Sequence, residues 1–241
     1  MRREPPPFRR VEVRRTDALS SRFVRVTLAG PELEGFTVDE PAASVRILLP
    51  TPPAKELVMP TWNGNEFLLP DGTRPALRTF TPRRVDPSTN ELDIDVVLHG
   101  HGVASTWAAD AQPGDVAAVS GPGRGYELDP AATHYLLAGD ETAVPAIGQL
   151  LEVIPPTTAV DVHLAAEPDA PLPTHPGATV HWHHDLVEAV ATAAIPDDAR
   201  IWVAGEAATV QRIRKHLFNE RGISRQQATV RGYWKRGLSE L

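Results

Sequence analysis

The feature that most constrains the fold is a change of rhythm near the middle of the chain. In the first half, apolar residues recur at every second position. "VEVRR", "RFVRVTLAG", "SVRILLP" and "ELDIDVVLHG" all read this way, with turn residues between them. In the last of these, Leu92, Ile94, Val96 and Leu98 face one way and Asp93 and Asp95 the other. Short alternating strands broken by Pro and Gly predict an antiparallel barrel or sandwich. Beyond the Gly/Pro-rich "SGPGRGYELDPAA", near residue 128, the period changes. "THYLLAGD", "AVDVHLAA", "TVHWHH", "RIWVAGE" and "QATVRGYW" read as strands. The helical stretches "ETAVPAIGQLLEVI", "DLVEAVATAA" and "AATVQRIRKHLFNE" follow the first, third and fourth of these. Strands alternating with helices predict crossover units and a parallel sheet.

Composition narrows the chemistry. The 241 residues contain no cysteine, which excludes disulfides, thiolate nucleophiles and cysteine-held zinc or iron–sulfur groups. Electron transfer would need an organic cofactor or a metal on His and carboxylates. A net charge of −7 does not suggest nucleic acid as a partner. No window approaches the ~18 apolar residues of a membrane helix, so no integral membrane segment is expected. "MRREPPPFRR" lacks the apolar stretch of a secretory signal, and the expected location is the cytoplasm. The charge is uneven. Residues 211–236 carry eight bases (Arg212, Arg214, Lys215, Arg221, Arg225, Arg231, Lys235, Arg236) against one acid, Glu220. A solvated helix face explains any one of them; the cluster together also suits an anionic partner. An antiparallel β domain followed by a parallel α/β domain, without thiols, fits a flavin on the first and a nicotinamide nucleotide on the second.

Four stretches carry candidate chemistry. "LRTFTPRR" combines a guanidinium, an aromatic face and hydroxyls on one strand. Arg78 and Phe80 share a face, Thr79 and Thr81 share the other, and Pro82 is expected to end ladder pairing. A flavin needs a cation for its phosphates, an apolar face for its ring and a hydrogen-bonding group at the ring edge. In "HGHGVASTWAAD" a strand ends near His99, Gly100 and Gly102 allow a tight turn, and a helix begins near Val103–Ser105. Free N–H groups there, with Ser105 and Thr106 beside them, suit a phosphate. "LLAGDETAVPAI" and "WVAGEAATV" lie at strand ends where open α/β sheets bind ligands. Their acids, Asp140, Glu141 and Glu206, also read as helix caps. "RGYWKRG" places adjacent aromatics after the last strand, to cover a ring or to pin the strand. "HWHH" reads as a solvent-facing strand edge, and no metal is assigned.

Taken in order, "RTFTPRR", "VVLHGHGVASTWA", "PGD", "SGPGRGY", "LLAGDETAVPAI", "WVAGEA" and "GYWKRG" resemble the siderophore-interacting protein family. These are FAD-dependent ferric-siderophore reductases of the ferredoxin-reductase superfamily. The resemblance covers nearly the whole chain. It implies an N-terminal antiparallel six-stranded β-barrel for FAD over residues 1–128 and a C-terminal parallel α/β sandwich for a nicotinamide nucleotide over 129–241. The family usually shows Arg-x-Tyr-Thr at the flavin strand. Here Phe80 stands in the Tyr place, keeping the ring face without the phenol hydroxyl. By resemblance, Arg78, Thr79, Phe80, Thr81 and Arg83 would hold FAD, as would His99, Gly102, Ala104, Ser105 and Thr106. Asp140, Thr142, Ala143, Gly205, Glu206 and Trp234 would contact the cofactors from the second domain.

The function implied passes electrons from NADPH or NADH through FAD to Fe(III) in a siderophore, with no catalytic acid, base or nucleophile from the protein. Oxygen-donor siderophores hold Fe(III) much better than Fe(II), so reduction loosens the metal. Lys55, Arg231, Lys235 and Arg236 would attract an anionic ferric siderophore, and Arg212, Arg214 and Lys215 a 2′-phosphate. The alternatives are a general NAD(P)H:flavin or ferredoxin-type oxidoreductase, with ferredoxin as donor, and a non-catalytic siderophore or flavin binder.

Overall fold

A computed structural model describes residues 5–50 and 56–237. The chain divides between Tyr126 and Glu127 into two compact units. In the first, period-two patterning yields β1 (Phe8–Ala18), β2 (Phe23–Ala29), β3 (Val45–Leu49), β6 (Ala76–Phe80), β7 (Pro82–Asp86), β8 (Glu91–Val97) and β9 (Val116–Ser120). A two-stranded ribbon, β4 (Thr61–Trp62) with β5 (Phe67–Leu68), lies outside this sheet. Helix α1 (Val103–Asp110) joins β8 to β9.

The seven strands pair antiparallel in the order β6-β3-β9-β1-β2-β8-β7. The first and last of that order, β6 and β7, are separated in sequence by Thr81 alone. One covalent residue therefore ties the two edges, and the sheet must curl back on itself. Counting Ala76–Asp86 as one bent strand gives the six of the barrel; counting its two ladders gives seven. Pro82 does not end pairing as the sequence suggested. It opens β7 opposite Ile94, with an irregularity before Arg84, a position where a strand tolerates a missing N–H.

The barrel core is built from Val11, Val26, Leu28, Val45, Ile47, Leu92, Ile94, Val96, Ala117 and Val119. Asp93 and Asp95, on the opposite face of β8, are also buried. Thr27 Oγ1 donates to Asp93 at 2.6 Å, and Arg25 grips Asp95 with Nε and Nη2 at 2.7 and 2.9 Å. Alternation fixed which side these acids take; paired donors on the neighbouring strands let them stay there.

The second unit is a parallel sheet of β10 (His134–Asp140), β11 (Ala159–Ala165), β12 (Ala178–Trp182), β13 (Arg200–Glu206) and β14 (Ala228–Trp234), in the order β12-β11-β10-β13-β14. Helices α2 (Val144–Val153), α3 (Leu186–Thr192) and α4 (Ala207–Lys215) make the crossovers. Leu136, Ala138, Ile201, Val203, Ala228 and Val230 pack one sheet face against Leu186 and Val190 of α3 and Val210 and Ile213 of α4. A parallel sheet covered by helices reads as continuous apolar runs, which "YLLA" and "IWVA" are. The histidines of "HWHH" do not simply face solvent. His181 pairs in register with the buried His163 of β11 and stacks on it at 4.9 Å, while His163 Nδ1 lies 3.0 Å from His183 Nε2. Burial, then the two neighbouring imidazoles, lowers the His163 pKa to about 4. Among the described residues no helix is long and apolar enough to cross a membrane.

Candidate cofactor sites in the two units

In the first unit the register of β7 on β8 sets the site. Pro82 lies opposite Ile94, so the chain running back through Thr81, Phe80 and Arg78 passes the carboxyl end of β8. The loop into α1 starts there. Phe80 of β6 and Val103 and Ala104 of α1 pack on the same core. Both stretches thus pack onto the one barrel core.

Within this end the residues differ in what they offer. Arg78 is half-buried, and its Nη1 donates to the Leu77 carbonyl at 3.1 Å. Thr79 is exposed, but Thr81 is buried, because the bend between β6 and β7 interrupts the alternation that would have paired them. Arg83 turns toward the sheet, its Nε 3.9 Å from an Asp95 oxygen. Ser105 is also buried. Its hydroxyl accepts the His99 amide at 3.0 Å and closes the loop. His101 Nδ1 donates to the His99 carbonyl at 2.9 Å, which sets that tautomer. Thr106 and the His99 ring are exposed.

The start of α1 is the distinctive feature. Gly100 and Gly102 take φ of 78° and 77°, a region that other residues rarely enter. No side chain caps the helix, and its first turn holds no acid. The N–H groups that open a helix need an acceptor, and an anion serves. A glycine turn with uncapped amides at the α1 start suits the phosphates of a flavin dinucleotide, and the half-buried Phe80 ring suits its apolar face.

In the second unit three strand ends converge at the carboxyl edge. Asp140 ends β10 and caps the following turn: its Oδ1 accepts the Thr142 amide at 3.0 Å and the Thr142 hydroxyl at 2.5 Å. Its Oδ2 accepts the Glu206 amide and the Trp234 Nε1 proton, both at 2.8 Å. Glu206 ends β13 and caps α4. Trp234 ends β14 with 38% of its surface exposed. Ala143 is fully buried, and a Cβ on Gly139 would meet its methyl at 2.3 Å, so its side chain packs inward. Sequence reasoning saw the acids as caps but missed the Asp140–Trp234 tie, which spans 94 positions.

The basic residues scatter. Lys55 lies outside the described residues. Arg231 is half-buried, while Lys235 and Arg236 are exposed. Arg214 donates through Nη2 to the Val230 carbonyl at 2.5 Å, so it braces β14. Arg212 and Lys215 are exposed on α4.

Comparison with known proteins agrees with this division. Residues 12–126 match the siderophore-interacting FAD-binding domain, and residues 132–237 match the siderophore-interacting protein domain. The chain is 33% identical to the ferric vibriobactin reductase ViuB of Vibrio cholerae, over 92% of this chain and 87% of that protein. It is 32% identical to the NADPH-dependent ferric-chelate reductase of Escherichia coli, over 94% and 92%. A siderophore utilization protein from T. fusca superposes with a TM-score of 0.87 at 34% identity, covering 99% of this chain and 96% of that one. With a flavin-type barrel, a parallel nucleotide-type sheet and full-length similarity of this kind, the chain belongs to the siderophore-interacting protein family.

Proposed function

We propose that the chain is an FAD-dependent ferric-siderophore reductase, with a nicotinamide nucleotide as electron source and Fe(III) in a siderophore as substrate, working in the cytoplasm. The observation that carries this reading is the uncapped start of α1 after a glycine turn, in a chain whose first unit matches an FAD-binding domain. The relatives named for ferric vibriobactin and ferric-chelate reduction support the substrate class. Bound FAD would supply the conversion between a two-electron donor and a one-electron acceptor.

The chain's own residues then orient and neutralise. The opening amides of α1 and the Arg78 guanidinium would hold the phosphates, with Gly102 letting the backbone approach. Phe80 would offer an apolar ring face, and Thr81 and His99 polar groups near the ring edge. Ser105 fixes the loop that presents them. Thr79, Arg83, Ala104 and Thr106 would add contacts to the same cofactor. In the second unit Thr142, Ala143 and Gly205 would face the nucleotide at the strand ends beside Asp140. Trp234 presents an indole held by that carboxylate. Arg231, Lys235, Arg236 and Lys55 would draw an anionic ferric siderophore. Iron reduction is electron transfer and needs no acid, base or nucleophile from the protein.

The test is anaerobic mixing of the purified FAD-loaded protein with NADH, NADPH or reduced ferredoxin, followed by a panel of ferric siderophores. The flavin absorbance should bleach with a nicotinamide nucleotide and return on addition of a ferric siderophore. Purification without flavin would favour a non-catalytic binder. Bleaching only by ferredoxin would move the donor, and reoxidation by other acceptors but by no ferric siderophore would leave a general flavin oxidoreductase.

A further inference from the structure

At the carboxyl edge of the second unit one large aromatic ring stays in the open and is nevertheless held fast. Trp234, at the end of β14, keeps 38% of its surface exposed. An exposed indole forgoes the gain of burial. Its Nε1 donates to Asp140 Oδ2 at 2.8 Å. Asp140 ends β10 and opens the first strand-to-helix turn of the sheet, where an open sheet of this kind takes a dinucleotide's pyrophosphate. The indole reaches that turn from two strands away, since β13 lies between β10 and β14.

The chain is built to make this tie. Gly205 of β13 lies opposite Gly232 of β14, so neither strand places a side chain there. A Cβ on Gly205, whose φ is 153°, would lie 2.7 Å from Asp140 Oδ2. Past this glycine pair the register slips. Glu206 lies opposite Trp234, and Tyr233 is the extra residue of a bulge. Bulges are rare in parallel pairs and re-aim side chains. This one brings Trp234 level with the end of β13. The carboxylate is saturated as well: Oδ1 accepts the Thr142 amide and hydroxyl, and Oδ2 accepts the Glu206 amide beside the indole. Four donors leave the carboxylate little freedom to turn, and the ring it holds has little more.

We infer that Asp140 is a positioning residue for Trp234, and that the indole so held is a stacking platform for a flat heteroaromatic ring of the nicotinamide dinucleotide. The inference rests on the reductase reading above. A dinucleotide with its pyrophosphate at the β10 turn carries a ring on either side of that group, nicotinamide or adenine, and the indole is fixed beside the turn. A ring already immobilised stacks on a ligand without the entropic cost of being ordered.

The experiment titrates nicotinamide mononucleotide, AMP and ribose 5-phosphate into FAD-loaded protein, followed by NMR. The first two carry one ring each on a ribose phosphate; the third carries none. The chain has five Trp, and the indole signal lost in Trp234→Ala identifies Trp234. In wild type that N–H should exchange slowly with solvent although the ring is exposed, and its signal should shift with a mononucleotide. Trp234→Ala should weaken that mononucleotide about three- to tenfold and leave ribose 5-phosphate unchanged. A response to nicotinamide mononucleotide assigns the nicotinamide ring to the platform, and a response to AMP assigns the adenine. Asp140→Ser keeps a capping hydroxyl for the Thr142 amide but no oxygen that reaches the indole. It should speed exchange of the Trp234 N–H and weaken the same mononucleotide, and in the Trp234→Ala background it should add nothing. The platform is overturned if neither mononucleotide binds wild type, if Trp234→Ala binds both as wild type does, or if ribose 5-phosphate loses as much. The positioning role is overturned if Asp140→Ser weakens binding equally with and without Trp234. Should Asp140→Ser fail to fold, Trp234→Phe decides, since it keeps a ring but no N–H for the carboxylate: binding equal to wild type overturns the role of the tie. Failure of NADH and NADPH to bleach the wild-type flavin would instead defeat the reductase reading and leave the NMR result standing.

Discussion

Gly102 precedes α1 with a positive φ and no capping side chain, whereas Glu206 precedes α4 and satisfies two of its amides. Both helices begin after a strand, beside glycine, in sequence contexts that suit a phosphate. One start is left open and the other carries its own anion. An uncapped helix forgoes about 1 kcal/mol that a cap would supply, and a bound phosphate can return it. A self-capped helix is stable without a ligand and correspondingly slow to accept one. The α3 start follows α4, since Asp185 takes the Val187 and Glu188 amides at 2.8 and 3.1 Å. On the proposed reading, anion binding would then be concentrated in the first unit.

The most severe way to break the closed site is Gly205→Ala. The new Cβ would meet Asp140 Oδ2 at 2.7 Å in a backbone region that disfavours side chains. Asp140 would have to release the Glu206 amide and the Trp234 indole. The expected cost is about 3 kcal/mol, read as lower stability in chemical denaturation. Flavin content should be unaffected, because the open site belongs to the other unit. If Gly205→Ala is as stable as wild type, the Asp140 carboxylate is not held where the comparison needs it.

Arg78→Ala addresses the open site. A charge-assisted bond to phosphate contributes roughly 1.5–3 kcal/mol. FAD affinity should fall about ten- to a hundredfold, measured by equilibrium dilution of the holoprotein, with the apo-protein still folded. Unchanged FAD retention would remove Arg78 from the site and leave α1 to carry the phosphates alone.

How far these two sites were legible in the sequence follows from the range of the contacts involved. The strands of both units and the start of α1 rest on local pattern: alternation in "ELDIDVV", apolar runs in "YLLA", glycines before "VASTWA". Capping by Asp140 and Glu206 is local too, reaching two or three residues ahead. What the sequence could not display depends on pairing between distant strands. Thr81 is buried because β6 and β7 occupy opposite ends of one curled sheet. Arg83 turns to Asp95 because β7 pairs with β8. His181 leaves the solvent-facing reading because β12 sets it beside His163. The Trp234 indole finds Asp140 only when β14 is laid next to β13. Each of these turns a residue toward or away from a site, so element positions were readable where side-chain roles were not.

A smaller change would import the closed logic into the open site. Thr106 is exposed in the first turn of α1. Glutamate there should favour the helix dipole by about 0.3–1 kcal/mol and oppose a bound phosphate by a similar amount. Thr106→Glu should therefore raise the stability of the apo-protein slightly while weakening FAD about two- to fivefold. The opposite signs are the diagnostic. Loss of both stability and flavin would mean that Thr106 matters for packing, and the comparison of anions at the two helix starts would not be probed by it.

The smallest expected effect is in acid. The Glu206 carboxyl is held below its ordinary value of 4.5, first by the Thr209 amide and also by the Arg236 and Ala208 amides. A carboxyl whose pKa is lower in the folded state contributes stability above the unfolded value. That contribution is lost as pH falls through the lower folded value. Wild type should thus lose stability on acidification below about 4.5 partly through this group, and Glu206→Gln should lack that part. Asp129, Asp185 and Asp198 are shifted the same way, so the variant's slope is reduced and not abolished. His163, pushed to about 4 by burial, adds its own loss between its ordinary value of 6.5 and that pH in both proteins. The quantity to follow is therefore the stability difference between wild type and Glu206→Gln, from urea denaturation at pH 6, 5, 4 and 3. It should narrow between pH 5 and 3 and stay level above. Because Glu206 is only half-buried and solvent screens it, the narrowing should be slight. A difference that stays constant down to pH 3 would mean that the carboxylate's charge adds nothing at the α4 start, and the closed site would then be a matter of occupied donors alone.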